Sequence, residues 1–373
     1  MAENYNLYSG DIISMSFVIG RGDELAEGPA GRLGRYRALD GSEGADLFLD
    51  LDGPHAMLVV GKRGYGKSFT MGVIAEELAR SRGVAPVIVD PMGVFDTLAE
   101  DAEGNPVPTD VVSSPAVEAT SLDPKSWCAL LDLSPESGAG SLVWQAATES
   151  ATIAAMRDHV EATDAPDADK RAAINHLNLA ASWDVFDPDG LSAADLGGPE
   201  VTIVDVSGLE ARAMNAICRG VGEALYRARV RGTIDRLPWL LLDEAHTFFE
   251  GVAEPALRTI LTRGRAPGVS LVTATQRPGA VPPVGISQSD VLVSHRLTSE
   301  ADLEALESAQ PTYMNGSLDD RMPTEPGEVV VIDDATETVH AAQVRWRDTP
   351  HGGDSPRASD YIDSDTAPTV GTD

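Results

Sequence analysis

Lysine is nearly absent: Lys62, Lys67, Lys125 and Lys170 are the only four in 373 residues. Basic charge as a whole is short, with 28 Lys plus Arg against 59 Asp plus Glu and a formal net charge of −31. Cysteine is scarce too. Cys128 and Cys218 are too few for a disulfide framework, so a cytoplasmic location is expected. No apolar run approaches the ~20 residues a membrane span needs. The start, MAENYNLYSGD, lacks a basic-then-apolar signal. No membrane insertion is therefore expected. Aromatic residues make up only 5%, but hydrophobic residues reach 42%, enough for a sizeable core and too many for a disordered chain. The length allows two domains, or one large domain with insertions and tails.

What remains is acid and arginine. An acid-rich, lysine-poor composition resembles that of salt-in halophiles, and the expected setting is the high-salt cytoplasm of a haloarchaeon, or its virus. At 1 M salt the Debye length is about 3 Å, so the self-repulsion of such a chain is mostly screened. Acidity ordinarily argues against nucleic-acid binding. In high salt that argument weakens, because counterion release drives little binding for any protein. Net charge does not decide the partner.

Along the chain, IISMSFVI (11–18) reads as a strand, 21–46 as loop with short strands, and LFLDL (47–51) as a weakly alternating strand. AMLVV (56–60) is a compact apolar run of the kind buried on both faces of a parallel sheet. A helix follows, with Met71, Ile74, Ala75 and Leu78 on one stripe. APVIVDP (85–91), VTIVDVSGL (201–209), WLLLDEAH (239–246), VSLVTATQ (269–276), DVLVSHRL (290–297) and GEVVVID (327–333) are further strands. Residues 100–122 look like loop. Residues 123–196 read as Ala-rich helices broken at Pro135, Pro166 and Pro188. Met214, Ile217, Cys218, Val221 and Leu225 mark a long amphipathic helix. This alternation predicts an α/β fold with a mostly parallel sheet and crossover helices. The expected domains are a short N-terminal β extension (1–46), an ATPase domain (47–346) with a helical insertion at about 123–196, and a disordered acidic tail (347–373).

The chemistry concentrates in three places. Gly61-Lys62-Arg63-Gly64-Tyr65-Gly66-Lys67-Ser68 matches G-x-x-x-x-G-K-[ST] in full, between a buried strand and an amphipathic helix. Its glycines let backbone N–H groups surround phosphate oxygens, and Phe69 continues the contact into the helix. Lys67 would reach the β and γ phosphates of ATP, and the Ser68 hydroxyl would bind Mg²⁺. Second, Leu240-Leu241-Leu242-Asp243-Glu244 is an apolar strand ending in two carboxylates. Asp243 would hold Mg²⁺ as a Walker B acid, and Glu244 would act as general base toward water. A solvated or helix-capping acid pair is the alternative. Third, the strand at 269–275 ends at Gln276, placed to sense the γ phosphate; a strand-end Gln in a turn hydrogen bond is the bland reading. DEAH also occurs in helicases with two RecA-like domains. Only about 100 ordered residues follow Asp243, which leaves no room for a second such domain.

DEAHTFF followed by TRGRAPGVSLVTATQRPGAVPPVGISQSDVLVSHRL, together with IVDPMG (88–93), resembles the HerA branch of the HerA/FtsK superfamily. The resemblance covers about residues 47–346 and implies a RecA-like P-loop core. It also implies an ATP-driven translocase of double-stranded DNA, usually a hexameric ring. It places Arg265 near a γ phosphate, across or within a subunit boundary, where a guanidinium would neutralise developing charge. A surface salt bridge is the plainer reading of Arg265. Asp90 matches a family acid near the metal and water; a helix N-cap before the turn at Pro91 is an equal alternative.

Three departures from the family matter. Only 60 residues precede Gly61, where archaeal members carry a β-barrel of about a hundred that docks a nuclease, so a nuclease partner is in doubt. His55 stands where the family often has an arginine reaching the neighbour's nucleotide; it reads as an ordinary loop histidine, and Arg258 or Arg263 could supply a finger instead. Val94 replaces an acid common after the D-P-x-G turn. Arg212, Arg219, Arg227, Arg229, Arg231 and Arg236 could face DNA or simply suit the end of a helix. Trp144 and Met156 are expected to form the insert's small core. The expected function is thus an ATPase ring motor on double-stranded DNA. The alternatives are DNA packaging for a virus, conjugative transfer, a nucleotide-dependent switch or scaffold, or a protein-secretion motor.

Overall fold

The computed structural model describes residues 17–22, 27–38, 42–307 and 318–353. Among the described residues, twelve strands form one sheet: β1 (Phe17–Ile19), β2 (Ala30–Arg37), β3 (Glu43–Asp50), β4 (Ala56–Val60), β5 (Val84–Asp90), β6 (Thr109–Val112), β7 (Val201–Asp205), β8 (Leu237–Leu242), β9 (Ser270–Thr275), β10 (Val291–Ser294), β11 (Glu328–Asp333) and β12 (Thr338–Val344). Their spatial order is β1-β3-β2-β12-β11-β10-β4-β9-β8-β5-β7-β6. From β10 to β6 every pairing is parallel; from β10 to β3 every pairing is antiparallel.

The parallel strands read as continuous apolar runs because helices cover both faces. Alternate residues of β8 show this: Trp239 and Leu241 pack with helix α1 (Lys67–Arg80), while Leu240 and Leu242 face the other layer. The stripe expected on α1 is real, with Met71, Ile74, Ala75 and Leu78 all buried. Helices α2 (Pro124–Leu130), α3 (Gly138–Glu149), α4 (Ile153–Ala162), α5 (Asp167–Ser182) and α6 (Ala193–Leu196) lie between β6 and β7. The Asp123 side chain caps α2 by accepting from the Ser126 N–H, with Pro124 at the first helical position. Helix α7 (Ala211–Arg231) covers the second face and ends at left-handed Gly232. Short α8 (His246–Phe249), then α9 (Glu254–Arg263), α10 (Pro283–Ser287) and α11 (Glu300–Glu307), complete the chain.

Several expectations change. The stretch 100–122 contains β6, an edge strand parallel to β7. The 21–46 region holds the eight-residue β2 and the first four residues of β3, and β2 joins the main sheet by pairing with β12. β3 runs across the expected boundary at 46/47. The predicted strand at 11–18 is seen from Phe17; residues 11–16 lie outside the described residues. In the helical insert Trp144 is exposed, and Trp127 fills the core with Met156 instead. The expected disordered tail falls mostly outside the described residues, from 354 onward. Its start is docked, however: Thr349 is buried, and its N–H and hydroxyl both donate to Glu76 of α1.

Candidate active site

The β4–α1 loop is built to leave donors open. Gly66 sits at φ 109°, a left-handed conformation that favours glycine, and α1 begins there with no side-chain cap and no acid in its first turn. The first N–H groups of α1 therefore lack side-chain partners, the arrangement that binds anions. A Cβ on Gly61 would lie 2.5 Å from His295 Cβ, so that position excludes larger residues. The loop is pinned by Lys62 N–H to the Arg296 carbonyl at 2.8 Å. Beneath it, buried His295 shares a 2.9 Å hydrogen bond between Nε2 and Thr70 Oγ1. Burial and the nearby Lys67 charge hold the His295 ring neutral, with its pKa down to about 3.

β9 lies between β4 and β8, so the loop and the β8 acids approach each other one strand apart. Ser68 Oγ donates to Asp243 Oδ2 at 2.6 Å. The other Asp243 oxygen accepts the Glu244 N–H at 2.9 Å. Lys67 is buried, and its ammonium reaches only the Lys62 carbonyl, at a long 3.5 Å. Burial lowers its pKa, while Glu244 and Asp243 oppose that shift. Lys62 lies over the Tyr65 ring at 4.4 Å, and Arg63 is exposed on the loop.

Glu244 carries two marks of strain. Its φ is +45°, rare for a non-glycine residue and clustered at functional sites. Its Oε2 is buried without a hydrogen bond. His246 Nδ1 lies 3.3 Å away, but shares a hydrogen bond with Thr275 Oγ1 at 3.2 Å. Burial and then the Asp243 charge raise the Glu244 pKa, against Lys67 and Arg63. A buried carboxylate oxygen with no partner is costly unless something else occupies the space. Gln276 stands immediately after β9, at the same end of the sheet and between the loop and the acids.

Two predicted residues are not part of this cluster. Asp90, at the end of β5, accepts four backbone N–H groups: Met92 and Gly93 on one oxygen, Val94 and Phe95 on the other. That is the pattern of a turn cap, and the metal reading of Asp90 has no support from it. Arg265 lies exposed between α9 and β9, before the strand begins. The loop follows the end of β4, which runs parallel to β9. The six-residue strand, about 20 Å long, separates Arg265 from its own phosphate loop. Arg265 therefore lies at the opposite end of the sheet from the phosphate loop of the same chain.

His55 sits at that same far end. Its Nδ1 meets Asp290 at 3.0 Å and its Nε2 meets Asp50 at 3.2 Å. Burial opposes its charge, but those two carboxylates raise its pKa to about 9. His55 is a buried cationic clamp and not the loop histidine expected. Of the basic stretch, Arg219 is buried against Asp123 at 2.9 Å, and Arg229 donates to the Pro267, Ile234 and Asp235 carbonyls.

The sequence comparison decides the family. Residues 33–221, just over half of the chain, match the family "Helicase HerA, central domain". The chain belongs to that family, among the HerA/FtsK-type P-loop ATPases. No curated protein matches its sequence. Among solved structures, VirB4 of Thermoanaerobacter pseudethanolicus aligns over 87% of this chain and 98% of its own, with TM-score 0.64 and 17% identity. The bacterial conjugative coupling protein TrwBΔN70 aligns over 85% and 90%, with TM-score 0.56 and 12% identity. TrwB in complex with ADP and Mg²⁺ aligns over 79% and 86%, with TM-score 0.54 and 12% identity. At these identities the likeness is one of fold, a RecA-like α/β core with a large, mostly parallel sheet.

Position and contact, more than motif, reveal the members the sequence left out. His246 lies beside Glu244 and is itself held by Thr275, and His295, just past β10, supports the loop. His246 follows Glu244 by two residues, which was the available signal. Nothing local marks His295, because its partners Thr70 and Gly61 are more than 200 positions away.

Proposed function

We propose that this HerA-family chain hydrolyses ATP and couples it to movement of double-stranded DNA through a homo-hexameric ring. The observation that carries the reading is Ser68 bonded to Asp243 beside the buried Glu244 oxygen that takes no hydrogen bond. The residues fit the divalent ion such chemistry needs: one hydroxyl and one carboxylate, leaving the remaining positions to water and phosphate oxygens, as Mg²⁺ prefers. When bound, Mg²⁺ would neutralise phosphate charge. Lys67 holds the β and γ phosphates, with Glu244 and Asp243 favouring its charged form against burial. The α1 N–H groups take the remaining phosphate oxygens. Glu244 accepts the proton of the attacking water, and its raised pKa makes it a stronger base. Gln276 orients that water. Arg265, too far from its own loop, serves the γ phosphate of a neighbouring subunit, which requires the ring.

Turnover in about 2 M KCl, a salt at which charges on an acidic chain are screened, with and without double-stranded DNA, tests the coupling. Stimulation by DNA that vanishes in Lys67→Ala is expected. Turnover indifferent to DNA would overturn the DNA motor in favour of a switch or a protein-directed motor. A ring assembled on DNA, with mass measured in nucleotide, checks the hexamer; a monomer under those conditions would contradict it.

A further inference from the structure

Trp346 is the most exposed large apolar side chain among the described residues, at 86%. Its neighbours are the opposite. Arg345 and Arg347 are buried and pinned to α1, where Arg345 pairs with Glu76 at 2.8 Å and with Glu77 at 2.6 Å. Glu76 is itself 1% exposed and takes the Thr349 hydroxyl at 2.7 Å. Gly72 makes room for this: a Cβ there would lie 2.7 Å from the Arg347 guanidinium. The Arg345 guanidinium also donates to the Trp346 carbonyl at 2.8 Å. The backbone is therefore fixed on both sides of an indole that faces solvent.

The place is specific. The Phe69 ring meets Trp346 edge-on at 5.9 Å and His351 at 5.6 Å. Phe69 directly follows Ser68. The phosphate loop, after β4, lies between two halves of the sheet. Ser68 faces Asp243 on the β8 side, which is the γ-phosphate end. Trp346 follows β12, on the opposite side of β4. A nucleotide whose terminal phosphates point to Asp243 and Glu244 would carry its base toward Phe69 and Trp346.

We propose that Trp346, backed by Phe69, is a stacking platform for the nucleobase of the bound nucleotide. The proposal rests on the phosphate-loop reading above. A flat, exposed indole with an apolar ring behind it stacks on a π-face and makes no base-specific hydrogen bond. The site should therefore take nucleotides with limited discrimination among bases, purines better than pyrimidines because of their larger area.

Calorimetric titration of the full chain in about 2 M KCl with two probes, ADP with Mg²⁺ and inorganic tripolyphosphate, isolates the base. In Trp346→Ala, ADP affinity should fall about 5- to 100-fold, while tripolyphosphate binding stays unchanged. Trp346→Phe should recover most of the ADP affinity. Because Trp346 is exposed, thermal melting of both variants should match the parent. Unchanged ADP binding in Trp346→Ala, or equal loss of both probes, would overturn the platform. Lys67→Ala separates the two readings: it should lose both probes, and retention of both would sink the phosphate-loop reading instead.

Discussion

The two ends of β4 treat polar groups in opposite ways. Just before the strand, every polar atom of His55 is partnered: its N–H by Ser270, its carbonyl by the Leu271 N–H, its ring by Asp290 and Asp50. Just after the strand, Lys67 has one long contact, His295 Nδ1 and Glu244 Oε2 are buried without hydrogen bonds, and Glu244 is held at positive φ. Removing one partner of a satisfied buried ion pair is costly to a fold. Unsatisfied buried polar groups beside a strained residue are the mark of a candidate ligand site. The same strand thus separates the part of the molecule that supports from the part that reacts.

The comparison predicts different failures at the two ends. At the loop end, Lys67→Ala should lower turnover by at least about 10²-fold while leaving the melting temperature nearly unchanged. A variant that melts early would show that Lys67 supports the fold. At the far end, His55→Ala should lower stability by roughly 3 kcal/mol, since two carboxylates lose their partner. Turnover per folded molecule should not change, and denaturant unfolding beside the activity assay reads both.

The pH dependence sharpens this further. A folded His55 pKa of about 9 lies above its unfolded value near 6.5. Its stabilisation is therefore complete below about pH 6.5 and is lost as pH rises through about 9. Unfolding free energy should decline by about 3 kcal/mol across that window in the parent and stay flat in His55→Ala. A parent curve that is flat there would remove the clamp. Asp90→Ala should cost about 2 kcal/mol by freeing four backbone N–H groups, with no change in the Mg²⁺ dependence of nucleotide binding. A shifted Mg²⁺ dependence would restore Asp90 to the metal site. The smallest effect belongs to neither end. Arg258→Ala breaks an exposed pair with Glu254 one turn away and should change stability by about 0.5 kcal/mol or less.

Much of the reactive end was legible in the sequence because its motifs are local. The phosphate loop spans eight residues, and Asp243 and Glu244 end an apolar run whose period is plain. The supporting end was not legible. His55, Asp50 and Asp290 meet only through the fold, across as many as 235 positions. The docking of 345–349 on α1 rests on Glu76, about 270 residues earlier, so composition alone placed the end of that segment, 347–349, in an acidic tail. Arg265 shows the converse. Its motif suggested proximity to phosphate, but strand direction puts it at the wrong end of β9 for its own loop. Trp144 was misplaced because helical spacing names a face without saying which face the neighbours cover.

The central claim is that the strained Glu244 is the base of an ATP site. Glu244→Gln keeps the shape and removes the proton acceptor. ATP binding and turnover of this variant should be measured side by side in about 2 M KCl. Binding should stay close to that of the parent while turnover falls by about 10²- to 10⁴-fold. Turnover equal to the parent, with binding intact, would contradict it.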